Sequence, residues 1–199
     1  MSDDNSPAFL RLFIAIAVPP DVQQEIGRIQ GQLQRSVPPG AIRWTRPDQF
    51  HVTLKFLGDV PAAQVAALEK SVSGACAGFP TLHLSADGVG FFPSEQKPRV
   101  IWAGTGDQEG QLAELHRRID QAVEPFAPEG KPQRFAGHIT LGRFKPGHHA
   151  AIRPLLERAT VHRTRHFGDW QAGEVEIVRS ELTSTGAKHT PLAAYPFTE

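Results

Sequence analysis

The sequence predicts an α+β fold, built from mainly antiparallel sheet with helices packed on the outside. Three observations indicate this class. The 199 residues contain apolar patterns of both helical and strand period. These segments do not alternate strictly, as they would in a doubly wound parallel sheet. A motif of His, a β-branched residue, Thr and Leu occurs twice, at His51 and at His138, which indicates two pseudo-symmetric lobes.

The first half of the chain contains four predicted strands and two helices. Residues 10–18 are apolar on both faces, as in a central strand, and Pro20 then opens a helix that continues to about residue 36. The other strands are expected at 42–45, at 50–57 with a stop at Gly58, and at 82–91. The second helix begins near Pro61 and carries an apolar stripe at Val65, Leu68, Val72 and Cys76.

The second half continues the same mixture. A helix is expected from about Asp107, because Leu112, Leu115, Ile119 and Val123 recur at helical spacing. The other elements are a strand at 99–103, a loop at 125–132, the second motif strand from His138, a short helix at 148–159 and a strand at 174–183. The expected organisation is a flexible N-terminal tail at 1–8 and a single bilobal domain at 9–199, whose last residues, 186–199, form a C-terminal tail.

The composition excludes several classes of protein. Forty per cent of the residues are apolar and 21% are charged, which is normal for a globular domain. No apolar run approaches the roughly 20 residues that span a bilayer, so we expect no membrane partner. The 21 basic and 21 acidic residues balance, which argues against a DNA-coating role. The single cysteine, Cys76, excludes an internal disulfide and fits a reducing cytoplasm.

The repeated motif carries the predicted chemistry. Side chains alternate along a strand, so His51 shares a face with Thr53, and His138 shares a face with Thr140. Two imidazoles suit proton transfer near neutral pH if one starts neutral and the other protonated. The threonine hydroxyls can donate hydrogen bonds to the oxygens of an anion. A phosphodiester is a substrate that suits these side chains, because the negative charge of its transition state is stabilised by preorganised hydrogen-bond donors.

Further residues are candidates for substrate binding. Arg143 could donate to a phosphate, but strict alternation places it on the face opposite His138 unless a bulge intervenes. The same alternation places Lys55 on the His51 face. Lys55 could therefore lie at the edge of the cleft. The candidates for binding a substrate by charge and by stacking are Arg43, Trp44, Arg46, Phe91, Phe92 and Arg134. For Trp44, Phe91 and Phe92 the competing interpretation, a place in the core, is favoured. The basic cluster at 162–166 is expected to be a solvated loop, with contact to the substrate backbone as the alternative.

The two motifs resemble those of the 2H phosphoesterases, and the chain from Phe9 onward resembles their RNA 2′,3′-cyclic phosphodiesterase branch, historically called 2′-5′ RNA ligase. Arg143 follows the second motif at the family's place. The resemblance extends to residues 11–16, 43–44, 55–58, 99–104 and 178–182. Gly137 departs from the pattern, since the family usually has proline before the second histidine.

The resemblance implies two α+β lobes with an active-site cleft between them. It implies hydrolysis of a terminal 2′,3′-cyclic phosphate of RNA to a 2′-phosphate, with no metal or cofactor, and a related 2′-5′ ligation. By the family's pattern His51 is the proton donor and His138 the proton acceptor, whereas the residues alone cannot choose between these roles. Thr53 and Thr140 would hold the phosphate. The expected partner is RNA with a cyclic phosphate end, bound by a cytoplasmic monomer.

Other functions are compatible with the same residues. A phosphodiesterase acting on a small cyclic nucleotide or on ADP-ribose cyclic phosphate would have an enclosed pocket rather than a basic approach. A non-catalytic module that binds RNA ends would have no need of two imidazoles. A metallohydrolase is a more distant alternative, which metal analysis of the purified protein would reveal.

Overall fold

The structure is a computed structural model, and it describes residues 8–127, 135–146, 153–183 and 186–197. Over these ranges the chain forms nine strands and four α-helices. The strands are β1 (Phe9–Ala17), β2 (Ile42–Trp44), β3 (His51–Pro61), β4 (Leu82–Phe92), β5 (Val100–Asp107), β6 (His138–Phe144), β7 (His166–Ala172), β8 (Glu174–Thr183) and β9 (Gly186–Pro196). The helices are α1 (Pro20–Gln34), α2 (Val65–Cys76), α3 (Gln111–Ala122) and α4 (Arg153–Thr160).

All nine strands belong to one antiparallel sheet. Its order is β7-β4-β5-β6-β3-β1-β8-β9, and β2 pairs separately with β6. The two motif strands, β6 and β3, therefore lie at the centre, and three strands follow on each side. The α+β prediction is confirmed, and the two lobes are the two halves of a single continuous sheet.

The sheet has one face covered by helices and one open face. Leu12, Ile14 and Ile16 of β1 point into the main core, where they meet apolar residues of the helices. Phe13 and Ala15 alternate to the other face and form a small separate cluster with Val178 of β8. Because the motif strands alternate in the same way, this second face is the one that receives the motif histidines.

The helices cross between the two halves of the sheet. Helix α1 follows β1 in sequence but contacts β7 and α4 at the opposite end of the sheet. Helix α3 follows β5 and contacts β3 and α2 in the other half. Their predicted apolar stripes are buried as expected, with Leu115 and Ile119 of α3 fully inaccessible. These crossings tie the two halves together beneath the open face.

Several boundaries differ from the sequence prediction. Strand β3 continues past Gly58, whose φ of 71° only a residue without Cβ adopts readily, and ends at Pro61. Strands β7 and β9 were not predicted, and the expected C-terminal tail at 186–199 is mostly β9. Their mixed polar, Gly- and Pro-containing sequences have no clear period, so their strand form depends on pairing with β4 and β8.

The predicted N-terminal tail and the predicted fourth helix are described only in part. Residues 1–7 of the expected tail lie outside the described residues, whereas the carbonyl of Ala8 accepts a hydrogen bond of 3.0 Å from the Ala62 amide. The predicted fourth helix is present from Arg153, and residues 148–152 lie outside the described ranges. In the described ranges, every helix is too short or too polar to cross a membrane.

Candidate active site

The two motif strands meet at a single point. Val52 of β3 pairs with Ile139 of β6, and among the described residues this is the one pair that joins the two strands. Continued by one residue each way, this register sets His51 opposite Thr140 and Thr53 opposite His138. The fold thus gathers two imidazoles and two hydroxyls from distant parts of the sequence.

Both histidines are held in the same way by their own strand starts. The Nδ1 atom of His51 lies 2.8 Å from the carbonyl oxygen of Gln49, and that of His138 lies 2.8 Å from the carbonyl oxygen of Ala136. A carbonyl can only accept, so Nδ1 carries the hydrogen in each ring and donates it. Each Nε2 is therefore the nitrogen left for chemistry, as acceptor in the neutral ring and as donor in the protonated ring.

The pKa values of both histidines are shifted in the same direction. Burial lowers the pKa of His51 to about 4, and the charges of His189, His138 and Arg143 add to the effect, while the hydrogen bond to Gln49 opposes it. Burial also lowers the pKa of His138, with a further contribution from the charge of Arg143. Both rings are consequently neutral at pH 7 while the cleft holds no anion.

A β-bulge in β6 decides the position of Arg143. Ile101 of β5 pairs with Gly142, whereas the next residue, Trp102, pairs with Thr140, so β6 holds one extra residue at this point. The extra residue reverses the sheet face to which each later side chain of β6 points. Arg143 therefore lies on the face of His138, near enough for its charge to lower the pKa of both motif histidines. The bulge that the sequence argument required is present.

Gln30 of α1 fixes this bulge from beneath. Its side chain is buried, and its Nε2 atom donates hydrogen bonds of 2.9 Å to the carbonyl oxygen of Leu141 and 2.7 Å to that of Thr45. The Thr45 amide also donates to the Leu141 carbonyl, at 2.9 Å. Gly142 completes the arrangement, since a Cβ there would lie 2.7 Å from the side chain of Ile42. The bulge is thus a tightly specified feature.

Lys55 does not follow the sequence prediction. A second register shift, in β3, lets Ala15 of β1 pair with Thr53 and Ile14 pair with Lys55, so Leu54 is the extra residue. The lysine is turned toward the helices, and its ammonium forms an ion pair with Asp120 of α3. The placement of Lys55 on the His51 face is therefore wrong, because the bulge reverses the alternation that the prediction assumed.

The other candidates for RNA binding have different outcomes. Arg43 pairs with Arg143 across β2 and β6 and is exposed on the same face. Trp44 is partly buried and packs against the core, as the competing interpretation proposed. Arg134 lies outside the described residues. Gly137, the departure from the family pattern, is closely packed, because a Cβ there would lie 2.9 Å from Leu112.

The basic cluster at 162–166 is occupied by local contacts. Arg163 forms an ion pair with Glu95, and Arg165 pairs with Glu25 at 2.6 Å. The ring of His166, the first residue of β7, bonds to Asp87 at 2.7 Å, and this raises its pKa. His162 is buried. The cluster is a turn followed by the start of β7, and most of it is exposed as predicted, although its charged side chains form ion pairs and His162 is buried.

Aromatic side chains line the open face beside the two histidines, and Phe92 is one of them, so the favoured place of Phe92 in the core is wrong. Phe92 contacts His138 edge to face at a ring distance of 5.0 Å and lies 5.0 Å from the Trp102 ring. Trp102 lies over two glycines, since a Cβ at Gly90 would be 2.3 Å from its ring. In the sequence these aromatic residues alternate with core positions. This alternation identifies them as residues of the open face only when the position of that face is known from the structure.

His51 has aromatic neighbours of its own. The Phe13 ring lies 4.8 Å from it, and the ring of His189 on β9 lies 5.2 Å from it. Sequence reasoning missed His189 because it expected no strand in that part of the chain.

A cavity of about 710 Å³ lies along β4, β5 and β7, away from the histidines. Its polar lining includes Ser85, Gln108, Glu109, Asp169 and Gln171. The two carboxylates would repel a phosphate, whereas Arg43 and Arg143 would attract one at the cleft. The charge distribution therefore favours the cleft as the place for an anionic substrate. In the described ranges no group of three or more His, Cys, Asp or Glu side chains is arranged to hold a metal ion.

The fold and the site can be compared with known proteins. Residues 16–102 match the family model of LigT-like phosphoesterases. The RNA 2′,3′-cyclic phosphodiesterase of Thermus thermophilus is 30% identical over 195 residues, which cover 94% of this chain and 89% of that protein. The chain belongs to the LigT-like phosphoesterase family. The sequence resemblance is thereby confirmed, as is the prediction of an enzyme of the hydrolase class.

Other LigT-like proteins agree with this membership. The RNA 2′,3′-cyclic phosphodiesterase of Methanothermobacter thermautotrophicus is 29% identical over 190 residues, 94% of this chain and 98% of its own. The crystal structure of TT0787 of Thermus thermophilus is similar, with a TM-score of 0.75, 25% identity and coverage of 94% of this chain and 98% of that one. Escherichia coli LigT complexed with 3′-AMP shares the fold, with a TM-score of 0.74, 24% identity and coverage of 96% and 99%.

Proposed function

We propose that this protein hydrolyses the terminal 2′,3′-cyclic phosphate of RNA to a 2′-phosphate, and that two histidines alone supply the acid and the base. One observation carries the proposal. His51 and His138 are held identically, each with Nδ1 on the carbonyl oxygen two residues earlier, so that two Nε2 atoms are presented to one cleft. The names of the relatives, all RNA 2′,3′-cyclic phosphodiesterases, support the choice of substrate.

The proposed reaction moves two protons. Nε2 of neutral His138 takes a proton from water as the water oxygen bonds to phosphorus. The bond between phosphorus and the 3′-oxygen breaks, and Nε2 of protonated His51 gives that oxygen its proton. The products are a 2′-phosphate and a 3′-hydroxyl, with the proton now on His138 instead of His51. Exchange with water restores the starting state, and no other reactant is needed.

The remaining site residues stabilise the charge on the phosphate. The hydroxyls of Thr53 and Thr140 lie on the histidine face and donate to the non-bridging oxygens. The guanidinium of Arg143, brought to this face by the bulge, supplies a charged donor. Such donors accelerate the reaction because they are already oriented before charge develops on the oxygens.

Because the pKa values of both histidines are lowered, the bound substrate must itself promote protonation of the catalytic acid. With a pKa of about 4 in the empty cleft, His51 rarely carries the proton that an acid must give. A bound cyclic phosphate places a negative charge beside the ring and favours the protonated form. Burial and the charge of Arg143 lower the pKa of both histidines, so the pKa values do not distinguish the acid from the base. The proposed assignment of His51 as the acid and His138 as the base follows the family's pattern.

RNA is the proposed substrate because of the surroundings of the cleft. Phe92 and Trp102 offer aromatic faces next to His138, on which an unpaired base can stack. Arg43 extends the positive charge of Arg143 outward, as a phosphate backbone requires. If the 5′-hydroxyl of a second RNA replaces water in the same step, the product is a 2′-5′ phosphodiester, so we include ligation in the proposal. We also propose a cytoplasmic monomer with no cofactor.

The test is incubation with a short RNA ending in a 2′,3′-cyclic phosphate, in EDTA, with 2′- and 3′-phosphate products resolved. The proposal expects a 2′-phosphate alone, with the rate unaffected by the chelator. Loss of activity in EDTA that a divalent metal restores would contradict the metal-free mechanism. Bound but unaltered RNA would indicate a binding module, and neither binding nor turnover would indicate a small cyclic phosphate. Sedimentation at micromolar concentration tests the monomer.

A further inference from the structure

The hairpin of β8 and β9 folds over the open face of the sheet and reaches His51. In the strand order β3-β1-β8-β9, two strands separate His51 from His189. On a flat sheet, backbones three strands apart would be about 14 Å from each other. The rings of His51 and His189 are nevertheless only 5.2 Å apart, at an interplanar angle of 74°. The hairpin must therefore curl over the face that carries the motif histidines.

The pairing of the strands shows where this curl begins. Strand β1 pairs with β8 from Leu12 with Arg179 to Ala15 with Glu176, and the recorded pairing does not continue past Arg179. Beyond this point β8 pairs with β9 alone, and His189 lies opposite Ser180. The side chain of His189 then meets the Phe13 ring at 5.0 Å, edge to face. Phe13 and His189 together enclose the ring of His51.

The ring of His189 has polar atoms that its packing does not explain. Its Nδ1 atom is buried and has no hydrogen-bond partner among the described residues. Buried polar atoms without partners are uncommon, and each calls for a reason such as a bound water or a role in the site. A phenylalanine would make the same edge contacts without this cost. An imidazole at this position therefore indicates a role beyond filling space.

We propose that His189 is a positioning residue of the active site, which closes the open side of the His51 ring and holds its Nε2 toward the phosphate. The inference rests on the proposed function of His51, and it adds a third histidine that the repeated motif does not contain. Its contact is with a catalytic side chain and not with the reacting atoms. The β8–β9 hairpin is then a functional wall of the cleft.

Among the described residues, few charged or titratable groups face the pair of His51 and His189. His138 and Arg143 approach His51 from β6, and Phe13 approaches it from β1. On β8, Arg179 and Glu181 alternate away from Ser180 and pair with each other at 2.9 Å. On β9, Lys188 lies opposite Glu181.

Burial lowers the pKa of both His51 and His189, and the charge of His189 lowers that of His51 further. Removing His189 should therefore raise the pKa of His51.

The decisive experiment compares the free wild-type protein with His189→Ala and His189→Phe, using NMR titration of the His51 ring. The His51→Ala variant assigns the signal, and His83→Ala, an exposed histidine on β4, is the matched control. We expect the midpoint for His51 near 4 in the wild type and at least one pH unit higher in His189→Ala. In His189→Phe it should rise less, because the ring stays covered and only the charge is lost. An unchanged midpoint in both variants would overturn the proposal.

Kinetics on the cyclic phosphate provide a second measurement. His189→Ala should lower kcat about tenfold with KM within twofold of wild type. The kcat of His189→Phe should lie between the two, because the packing is kept and the imidazole is lost. Equal kcat in all three proteins would contradict the positioning role. If no protein turns over the substrate, the proposed function fails while the titration still tests the contact. If His189→Ala unfolds, His189→Phe decides the outcome, because it preserves the packing against Phe13.

Discussion

Among the described residues, Val52 and Ile139 form the one pair between the two motif strands, and their side chains are both completely buried. This pair sets the register of the whole site, because the residues on either side of it are the two histidines and the two threonines. A shift of the strand register by one residue would turn the His and Thr side chains of both motifs toward the core. Beyond the pair the strands part, since β3 continues beside β1 and β6 continues beside β5 and β2. The cleft opens where they part.

The paired histidines should be individually essential. We expect His51→Ala and His138→Ala each to lower kcat by about 10²- to 10⁴-fold, the usual contribution of a general acid or base. Steady-state hydrolysis of a cyclic-phosphate RNA measures the effect. Circular dichroism should show that both variants stay folded, and His83→Ala should retain full activity. Retention of wild-type kcat by either motif variant would exclude the two-histidine mechanism.

The pH dependence should differ between kcat/KM and kcat. The profile of kcat/KM reports the free enzyme, in which the pKa of His51 is about 4 and that of His138 is also lowered. The protonated fraction of His51 falls about tenfold per pH unit above its pKa. Activity at low substrate should therefore peak below pH 6.5 and decline through neutrality.

The profile of kcat reports the complex, in which the substrate anion raises the pKa of His51. Its optimum should lie at higher pH than that of kcat/KM. Because two coupled groups titrate, both profiles give apparent values for the pair. Initial rates from pH 4.5 to 9 at low and saturating substrate would measure this. Identical optima in the two profiles would show that the substrate does not promote protonation of His51.

Gln30 and Arg143 should act as a unit, although Gln30 lies beneath the sheet. Arg143→Ala removes a charge-assisted hydrogen bond of about 1.5–3 kcal/mol, which corresponds to about 10- to 150-fold in kcat/KM. Gln30→Leu should lower kcat/KM about tenfold, because the bulge that turns Arg143 to the cleft loses its anchor. Gln23→Leu is the matched control on α1, since Gln23 bonds the Val18 carbonyl away from β6.

A double-mutant cycle distinguishes this coupling from a general loss of stability. If Gln30 acts through Arg143, the Gln30→Leu change should have little effect in an Arg143→Ala background. Fully additive losses would show that Gln30 supports the fold and not the orientation of the arginine.

The aromatic patch should contribute to binding of RNA more than to the chemistry. Stacking of one base on an aromatic side chain contributes about 1–3 kcal/mol. Trp102→Ala should therefore raise KM for a cyclic-phosphate RNA about 5- to 150-fold and leave kcat nearly unchanged, while Trp102→Phe should lose less. Trp170→Ala, at the distant cavity, provides the control. An unchanged KM would mean that the bases do not stack there and would favour a small cyclic phosphate.

Local apolar patterns were sufficient to predict the elements whose buried residues recur with a clear helical or strand period. Helix α3 and strand β8 lie where apolar spacing predicts them, because each buries one regular face. Strands β7 and β9 could not be predicted in this way. Their sequences do not have a regular apolar face, and the partners that hold them, β4 and β8, are defined only in the folded sheet.

The α+β class, the duplicated motif and the shared face of each His and Thr follow from the order of residues along the chain, through apolar period and strand alternation. The faces of Arg143 and Lys55 depend on the folded sheet, because a single extra residue in a strand reverses every side chain after it. Only the tertiary structure brought His189 to His51. That contact depends on how a hairpin curls over a sheet, and the curvature is set by packing across four strands, not by any local run of residues.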